Sequence, residues 1–593
     1  MKLAPDIQRP RSLQAPRGGK PPRRGIILVL TGFCLVALFA FVALSVDAGR
    51  MVLTGTKMQN AVDAAALAAA QEISAAIHAA GQGQGSANVD ANSIAVEHAR
   101  AMAAQVAAAI GLYIDPDVDV KFGKRVFNEA NGTWPIQWNG APYNVVKVIG
   151  RRTDEDVSAP DGQLPLAFGW AVGRSKVPLQ TSATAFVEAR DLVVVLDFSA
   201  SMNDDSTLND SALSLAQVES QLDAMWNSLQ AANPKWPGTN ISKFPSTGFG
   251  QIKSAAGTSV SSTDTNTIFT TLQLNARNGD GTPKFPYPQS GRNSNGTPKA
   301  RLSASANDTA WKNYINYAKG LSGTYKQKYG YRTLLSYMQN QRNGWNESED
   351  LWRTPHYPFH AVKQGTSLFF GFLTDLDFGD EVGIVSYGAY AVKEWDHVDE
   401  EVSIDIKHDP ITSDYATLDS IQRRHQAGHY DDYTGMGDGI LKARELLLGV
   451  DANANDVGYS RYGARPTMIV MTDGQANRCP SGWSLPSSFN WKDWTDYDGD
   501  GAANYTTTDK NKQYAFWEAT RAIDRGTTVH TLAVGASGDR ALMQAIAFAG
   551  GGIFINVPGG STVSAMENQL IDAFKQIASK VPPAKLVYEF PAN

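Results

Sequence analysis

The stretch LVVVLDFSASM, residues 192–202, decides the fold of this chain. An apolar run ends in Asp197, and two hydroxyl side chains, Ser199 and Ser201, follow at alternate positions. An uninterrupted apolar run is typical of a parallel strand that helices cover on both faces. Open sheets of such strands bind ligands where the carboxyl ends of the strands meet. We therefore expect these three polar side chains at a binding edge.

Further apolar runs extend this strand into a sheet. They read EVGIVSY, TMIVMTD, VHTLAVG and GIFINV, and amphipathic stretches lie between them. Alternating strands and helices predict an α/β domain with a doubly wound, mostly parallel, Rossmann-like sheet, which we assign to residues 191–580. The first connection is too long for an ordinary loop, so residues 203–355 are predicted to be an inserted module. Residues 478–510 form a second insertion.

Two of these later segments carry more oxygen ligands. DDYTGMGDGI places Thr434 before a helix, and TMIVMTDGQ places Asp473 after a strand. With Asp197, Ser199 and Ser201 they make two carboxylates and three hydroxyls, the hard oxygen ligands that Mg²⁺ prefers. The sequence therefore predicts a metal site and not an acid–base catalytic site.

The order of these motifs resembles the von Willebrand factor A family. The resemblance rests on DFSAS after VVVL, the later threonine before a helix start, and TDG after IVM, over residues 191–202 and roughly 356–579. It implies a metal-ion-dependent adhesion site that holds Mg²⁺, Mn²⁺ or Ca²⁺ through the five side chains, directly or through water. One position would stay open for an acidic group of a protein partner. The alternative is a metal that only stiffens the loops.

Other features of these loops bear on access to the metal. The inserted module leaves directly from Met202, so we expect it to cover the metal face. Additional acids on the same loops are expected either to orient the ligands or to form a like-charged rim. They are Asp204, Asp205, Asp431, Asp432 and Asp438.

The N-terminus predicts the location. Residues 1–24 hold seven Lys or Arg against one acid, and an uncharged apolar run of 21 residues, Ile26–Val46, follows. That run is long enough to cross a bilayer, so residues 25–46 are assigned as a transmembrane helix. Because basic flanks stay inside, the protein is expected to be a single-pass protein of the bacterial inner membrane with a cytoplasmic N-terminus. A cleaved signal peptide is the alternative.

Residues 47–113 are Ala-rich and helical, with small residues at the alternating spacing of a packing seam. The motifs ALSVDAGRMVL and MQNAVDAAALAAA resemble the TadE/TadG-like N-terminal region of Flp (Tad) pilus-assembly proteins. This resemblance implies partners among pilus-assembly or envelope proteins, whereas an Ala-rich stalk is the alternative. Residues 114–190 are predicted to form a small β or α+β module, and residues 581–593 a tail.

A second, weaker metal motif lies in the second insertion. Asp496, Asp498, Asp500 and Asn504 occupy positions 1, 3, 5 and 9 of a calcium loop. Position 12 is Thr507 where such loops carry a bidentate glutamate. The motif predicts Ca²⁺ binding, and a solvated Asp/Gly turn is the alternative.

Composition and motifs exclude several functions. Two cysteines, one of them in the apolar segment, exclude a disulfide framework and a Cys-based zinc site. The sequence contains no HExxH, GxSxG or GxxxxGK[ST] motif, so no enzyme is predicted. A basic stretch with interleaved tyrosines, residues 284–353, is interpreted as a local core with a solvated face. The alternative is a surface that binds an anionic envelope polymer, a glycan or an acidic protein. No nucleic-acid partner is expected across the membrane.

The sequence thus predicts an extracytoplasmic protein that binds or adheres to other proteins through a metal and is linked to Flp pilus assembly. Two alternatives remain open. One is a structural component of the pilus machinery whose α/β domain is a scaffold, and the other is an envelope hydrolase or chelatase-like subunit.

Overall fold

The computed structural model describes most of the chain, including the segments that carry the predicted metal ligands. The predicted basic segment, residues 1–24, lies outside the described residues except for Arg24. The described ranges are 24–82, 91–208, 213–231, 257–288, 302–341, 351–398, 402–450, 458–535, 537–558, 563–580 and 582–587.

The helices and strands are numbered in chain order. The helices are α1 (Arg24–Gln82), α2 (Ala91–Ile110), α3 (Leu215–Ala231), α4 (Thr265–Thr271), α5 (Ala304–Gly320), α6 (Tyr331–Asn340), α7 (Phe359–Leu376), α8 (Tyr415–Arg423), α9 (Met436–Leu448), α10 (Lys492–Thr495), α11 (Lys510–Ile523), α12 (Arg540–Ala549) and α13 (Val563–Ser579). The strands are β1 (Val120–Arg125), β2 (Ile136–Trp138), β3 (Val145–Arg152), β4 (Leu164–Pro165), β5 (Lys176–Val177), β6 (Leu179–Phe186), β7 (Arg190–Asp197), β8 (Thr258–Ser259), β9 (Lys328–Tyr329), β10 (Glu381–Tyr387), β11 (Ala391–Lys393), β12 (Asp396–Val398), β13 (Ser403–Asp405), β14 (Arg465–Thr472), β15 (Thr528–Gly535), β16 (Gly551–Pro558) and β17 (Lys585–Val587).

The first helix has an apolar half and an alanine-rich half. Its apolar half is exposed, and it is long and apolar enough to cross a membrane. Past Asp47 the small residues of the predicted seam, such as Val62, Ala65 and Ala69, are fully buried. They pack against alanines of α2 and against β3 and β6 of the same chain. The seam is therefore occupied within this chain.

A small antiparallel sheet completes the membrane-proximal module. Its order is β17-β6-β3-β1-β2. The strand β17 comes from the C-terminal end and pairs with β6, with Leu586 opposite Ala185. The predicted tail, residues 581–593, therefore includes a strand, and the α/β domain is inserted into the module. Sequence periodicity does not reveal this strand because only three residues pair.

The central sheet of the α/β domain confirms the predicted fold class. Its order is β11-β10-β7-β14-β15-β16, and all neighbours are parallel except the edge strand β11. Alternate residues of β7 face opposite layers: Leu192 and Val194 pack towards α7 and α13, whereas Val193 and Val195 pack towards α9 and α11. Burial on both faces explains why the strands read as continuous apolar runs.

The first insertion has a hydrophobic core of its own. Its helices α3 to α6 bury large side chains such as Trp311 and Tyr314. Several tyrosines of its basic stretch, including Tyr329 and Tyr331, belong to the same core. This burial favours the interpretation as a local core. In the second insertion, Trp491 packs on Phe516 of α11, with ring centroids 4.8 Å apart.

Candidate metal centre

Two neighbouring parallel strands bring the predicted carboxylates to one edge of the sheet. Asp197 is the last residue of β7, and Asp473 directly follows β14. The strands pair in parallel with Val195 opposite Val470, so their carboxyl ends lie side by side. This register is the reason that residues distant in sequence meet.

The serine loop lies between the two carboxylates. Asp197 Oδ1 accepts the backbone N–H of Ser199 at 2.9 Å. The hydroxyls of Ser199 and Ser201 lie 3.1 Å apart, and Ser201 donates to Asp473 Oδ1 at 2.7 Å. The loop continues into a 3₁₀ turn, Ala200–Ser206. The alternate spacing of the serines thus gives two hydroxyls in contact with each other beside the acids.

Thr434 reaches the same place from a third segment. Its backbone N–H donates to Asn477 Oδ1 at 2.7 Å, just ahead of α9. A Cβ added at Gly474 would lie 3.5 Å from both Thr434 Oγ1 and Ser201 Oγ. Glycine therefore leaves a space between the two hydroxyls that a side chain would fill. All five predicted side chains belong to this edge of the sheet.

Two further residues support the candidate ligands and were missed in the sequence analysis. The hydroxyl of Thr472 donates to Asp197 Oδ2 at 2.8 Å. Asn477 fixes the loop of Thr434 through the bond described above. Thr472 adjoins the TDG motif, but a threonine inside a strand is too common to signal a role. Asn477 gave no sequence signal because its partner is 43 residues away.

The electrostatics of the site favour a cation. Asp197 is fully buried, and burial raises its pKa. The pKa of Asp473 is raised well above its usual value, first by burial and then by the charge of Asp197, with Asp204 and Asp205 adding to it. Across the described ranges, no Lys or Arg forms an ion pair with either carboxylate. Buried carboxylates normally carry a partner charge or bind a metal, so this donor set fits a divalent cation.

The additional acids fall into two groups. Asp204 and Asp205 act on Asp473 through their charge, as stated above. Asp431 and Asp432 are exposed, and Asp438 accepts a hydrogen bond from the hydroxyl of Tyr514 at 2.9 Å. The first group thus adds to the negative charge around Asp473.

The first insertion is joined to the serine loop. Ser206 Oγ accepts hydrogen bonds from Gln339 Nε2 of α6 and from the backbone N–H of Tyr357, both at 3.1 Å. Both α3 and α6 contact the 3₁₀ turn that carries Ser201. The insertion therefore lies next to the metal loop, and its control of access stays a prediction.

The predicted calcium loop brings three carboxylates together. One oxygen each of Asp496, Asp498 and Asp500 lies within 4.8 Å of the others. Asn504 Oδ1 accepts the backbone N–H of Tyr497, and its Nδ2 donates to Asp498 Oδ2 at 3.3 Å. Ca²⁺ binding here stays a prediction.

Comparison with known families supports the N-terminal resemblance. Residues 25–72 match the family model described as putative Flp pilus-assembly TadE/G-like. This stretch is a TadE/G-like segment. It comprises most of the apolar half of α1 and the beginning of its alanine-rich half. No curated protein matches the chain.

Several solved structures resemble part of the chain. A conserved hypothetical protein, BatB from Bacteroides thetaiotaomicron, is 17% identical over 36% of this chain and 87% of its own, with a TM-score of 0.22. The vWF domain of the type V pili tip protein Mfa5 from Porphyromonas gingivalis is 13% identical over 37% and 88%, with a TM-score of 0.22. Proximal thread matrix protein 1 from the mussel byssus, with a zinc-occupied MIDAS motif, is 12% identical over 68% and 99%, with a TM-score of 0.23.

The predicted TadE/G-like segment is thus confirmed by a family model, and one of the structural matches is named as a vWF domain. Because the TM-scores are low, the fold of the α/β domain rests on its own strand order and helix layers.

Proposed function

We propose that this chain is a membrane-anchored protein that binds a protein partner through a divalent cation in the setting of Flp pilus assembly. The observation that carries the proposal is the pair of buried carboxylates, Asp197 and Asp473, which face hydroxyls and no basic side chain within the described residues. The positive charge that such a pair normally has beside it would come from the cation.

All five side chains would contribute to binding the cation. Asp197 and Asp473 supply negative charge, and Ser199, Ser201 and Thr434 supply neutral oxygens. A bound Mg²⁺, or Mn²⁺ or Ca²⁺ in its place, would supply a Lewis-acidic charge that attracts one more oxygen ligand. An acidic side chain of a partner protein fits that position, because its carboxylate oxygen is a hard ligand that can replace a metal-bound water. The proposed role is binding and not catalysis.

The proposed location starts from the TadE/G-like segment. Its apolar half is exposed along the helix and has the length of a bilayer. We propose that it anchors the chain in the bacterial inner membrane with residues 1–24 in the cytoplasm and the α/β domain outside. Partners would then be pilus-assembly or envelope proteins.

The alternative role, a structural pilus component that acts through its alanine seam, receives less support. That seam is buried against α2 and the small sheet of the same chain. A partner helix would have to displace α2 to use it.

A comparison of pilus function in cells tests the metal-dependent role. Asp197→Ala should abolish pilus-dependent adhesion while the protein remains in the membrane at its normal level. Asp432→Asn, an exposed acid on the loop of Thr434, is the matched control and should behave like wild type. Normal adhesion in Asp197→Ala cells would instead support the scaffold role.

We also propose a Ca²⁺ site at Asp496, Asp498, Asp500 and Asn504. Without a glutamate at position 12, its dissociation constant should be about 10⁻⁴ to 10⁻³ M, as in extracellular calcium modules. Ca²⁺ titration of the full chain and of Asp498→Asn checks this. Equal Ca²⁺ binding by both chains would remove this loop as the site.

A further inference from the structure

A small hairpin of the membrane-proximal module is attached to the point where the apolar half of α1 ends. Its strands are β4 and β5, and Asp47 holds its tip. The carboxylate oxygens of Asp47 accept the backbone N–H groups of Ala167 at 2.8 Å and Phe168 at 2.9 Å. Asp47 is only 4% exposed, so its charge is satisfied by the hairpin backbone. The hairpin tip is thereby fixed at the level of Asp47.

The tip of the hairpin has a defined shape. Gly169 begins a 3₁₀ turn, and its carbonyl accepts the backbone N–H of Arg174 at 2.9 Å. A Cβ at Gly169 would overlap the Arg174 carbonyl oxygen, so only glycine fits. A closed turn of this kind presents its side chains at fixed positions.

The side chains presented near this level are apolar and exposed. Trp170 is 71% exposed and Phe168 is 42% exposed. On α1, Val52 and Leu53 are exposed as well, within two turns of Asp47. Exposed large apolar side chains close together on two elements mark a surface suited to an apolar or interfacial environment.

The length of the apolar segment places this level at a membrane boundary. The 21 residues Ile26–Val46 span about 31 Å as a helix, which matches the roughly 30 Å hydrocarbon core of a bilayer. Asp47 then lies where hydrocarbon gives way to headgroups. Tryptophan is enriched at this depth because its ring is apolar and its N–H can be solvated.

We propose that the hairpin tip, residues 166–170, inserts Phe168 and Trp170 into the outer headgroup region of the membrane that α1 spans. The ligand of this surface is the phospholipid bilayer itself. The inference rests on the proposed anchor and goes beyond it, because a second contact fixes the tilt of α1 and of the α/β domain above it.

Site-specific fluorescence quenching in vesicles tests this contact. The full chain, with Cys34 and Cys479 replaced by serine, carries one label at Ala167→Cys, which leaves both aromatic side chains in place. It is reconstituted into vesicles of phosphatidylethanolamine and phosphatidylglycerol that contain a headgroup-attached quencher. We expect strong quenching at position 167 and none at Tyr433→Cys, an exposed position on the loop of the metal centre. Quenching at position 167 no stronger than at position 433 would overturn the proposal.

Two further variants distinguish a failure of the membrane anchor from a failure of the hairpin contact. A label at Phe39→Cys, within the apolar half of α1, should be quenched by an acyl-chain quencher. If it is not, the anchor fails, and the hairpin contact fails with it. If it is quenched while position 167 is not, only the hairpin contact fails. Adding Phe168→Gln and Trp170→Gln to the Ala167→Cys chain should remove the headgroup quenching, and unchanged quenching would contradict a role for these side chains.

Discussion

The two ends of β7 differ in whether their buried charged side chains form ion pairs. At its start, Asp191 binds the guanidinium of Arg461, with Nε 2.9 Å from Oδ1, and accepts the hydroxyl of Ser460 at 3.0 Å. The neighbouring Arg190 binds Asp380, with Nε 3.0 Å from Oδ2. At the other end, Asp197 receives a hydroxyl and a backbone N–H but no cation from the described residues.

This difference indicates a different role for each end of the strand. A buried charge without a partner is strongly unfavourable, so structural ion pairs come complete within a chain. The start of β7 follows that rule and joins the α/β domain to its C-terminal helix. The carboxyl end departs from it, which agrees with the proposal that a cation from solution supplies the missing charge.

The largest loss of stability is expected when the buried ion pair at the start of β7 is broken. Besides Asp380, the guanidinium of Arg190 donates to the carbonyls of Ile577, Ala578 and Lys580. Arg190→Ala leaves a buried carboxylate and these carbonyls without their donor, and should lower the free energy of unfolding by about 3–5 kcal/mol. Urea unfolding of the full chain in detergent measures this.

Asp197→Ala is the matched change at the other end. In chelator it should lower stability by less than Arg190→Ala does. It takes an acceptor from the hydroxyl of Thr472 and from the N–H of Ser199, but it also removes a buried carboxylate that repels Asp473. A loss in chelator as large as that of Arg190→Ala would contradict the contrast between the two ends.

A smaller effect is expected where the first insertion meets the metal loop. Ser206→Ala leaves the N–H of Tyr357 without this acceptor. It also removes the oxygen acceptor of the buried Gln339 Nε2, which keeps the weaker acceptor Met225 Sδ at 3.3 Å. We expect a loss of about 1–3 kcal/mol in urea unfolding. Thr270→Ala removes an exposed hydroxyl within the insertion, so it serves as the control and should change stability little. Equal losses in both variants would show that the Ser206 contact adds nothing beyond an exposed hydroxyl.

A pH-dependent change in stability, of similar size per pH unit, is expected from His530 on strand β15, next to β14. Burial, and then the charges of Arg190 and Lys580, lower the pKa of His530 to about 3. The unfolded chain gains this proton near pH 6.5, whereas the folded chain does not until about pH 3. Stability should therefore fall as pH drops below about 6.5, by up to about 1.4 kcal/mol per pH unit from this group.

The variant His530→Asn checks this slope. The amide oxygen of the asparagine can replace Nδ1 of His530, which accepts the backbone N–H of Ile553 at 3.1 Å. Urea midpoints between about pH 7 and pH 5 should depend less on pH in His530→Asn than in wild type. The exposed His408→Asn is the control, and a slope unchanged in His530→Asn would assign the acid sensitivity to other groups.

Much of the fold could be predicted because burial on both faces leaves a continuous apolar run for each central strand, as in β7 and β14. The five candidate ligands could be found for the same reason, since each follows a strand or precedes a helix. Contacts between distant segments could not be found this way. The pairing of β17 with β6, the bond from Asn477 to the loop of Thr434, and the contact of α2 with the alanine seam depend on tertiary packing and leave no local pattern.

Calorimetric titration of the full chain with Mn²⁺ or Mg²⁺ tests the central claim most directly. Wild type is expected to bind a cation at the carboxyl end of β7, and Asp473→Asn is expected to lose that binding. Asp498→Asn, in the calcium loop, controls for the other acidic cluster and should retain it. Absence of binding to wild type, or equal binding to Asp473→Asn, would contradict the proposal that the buried carboxylates at the ends of β7 and β14 hold a metal.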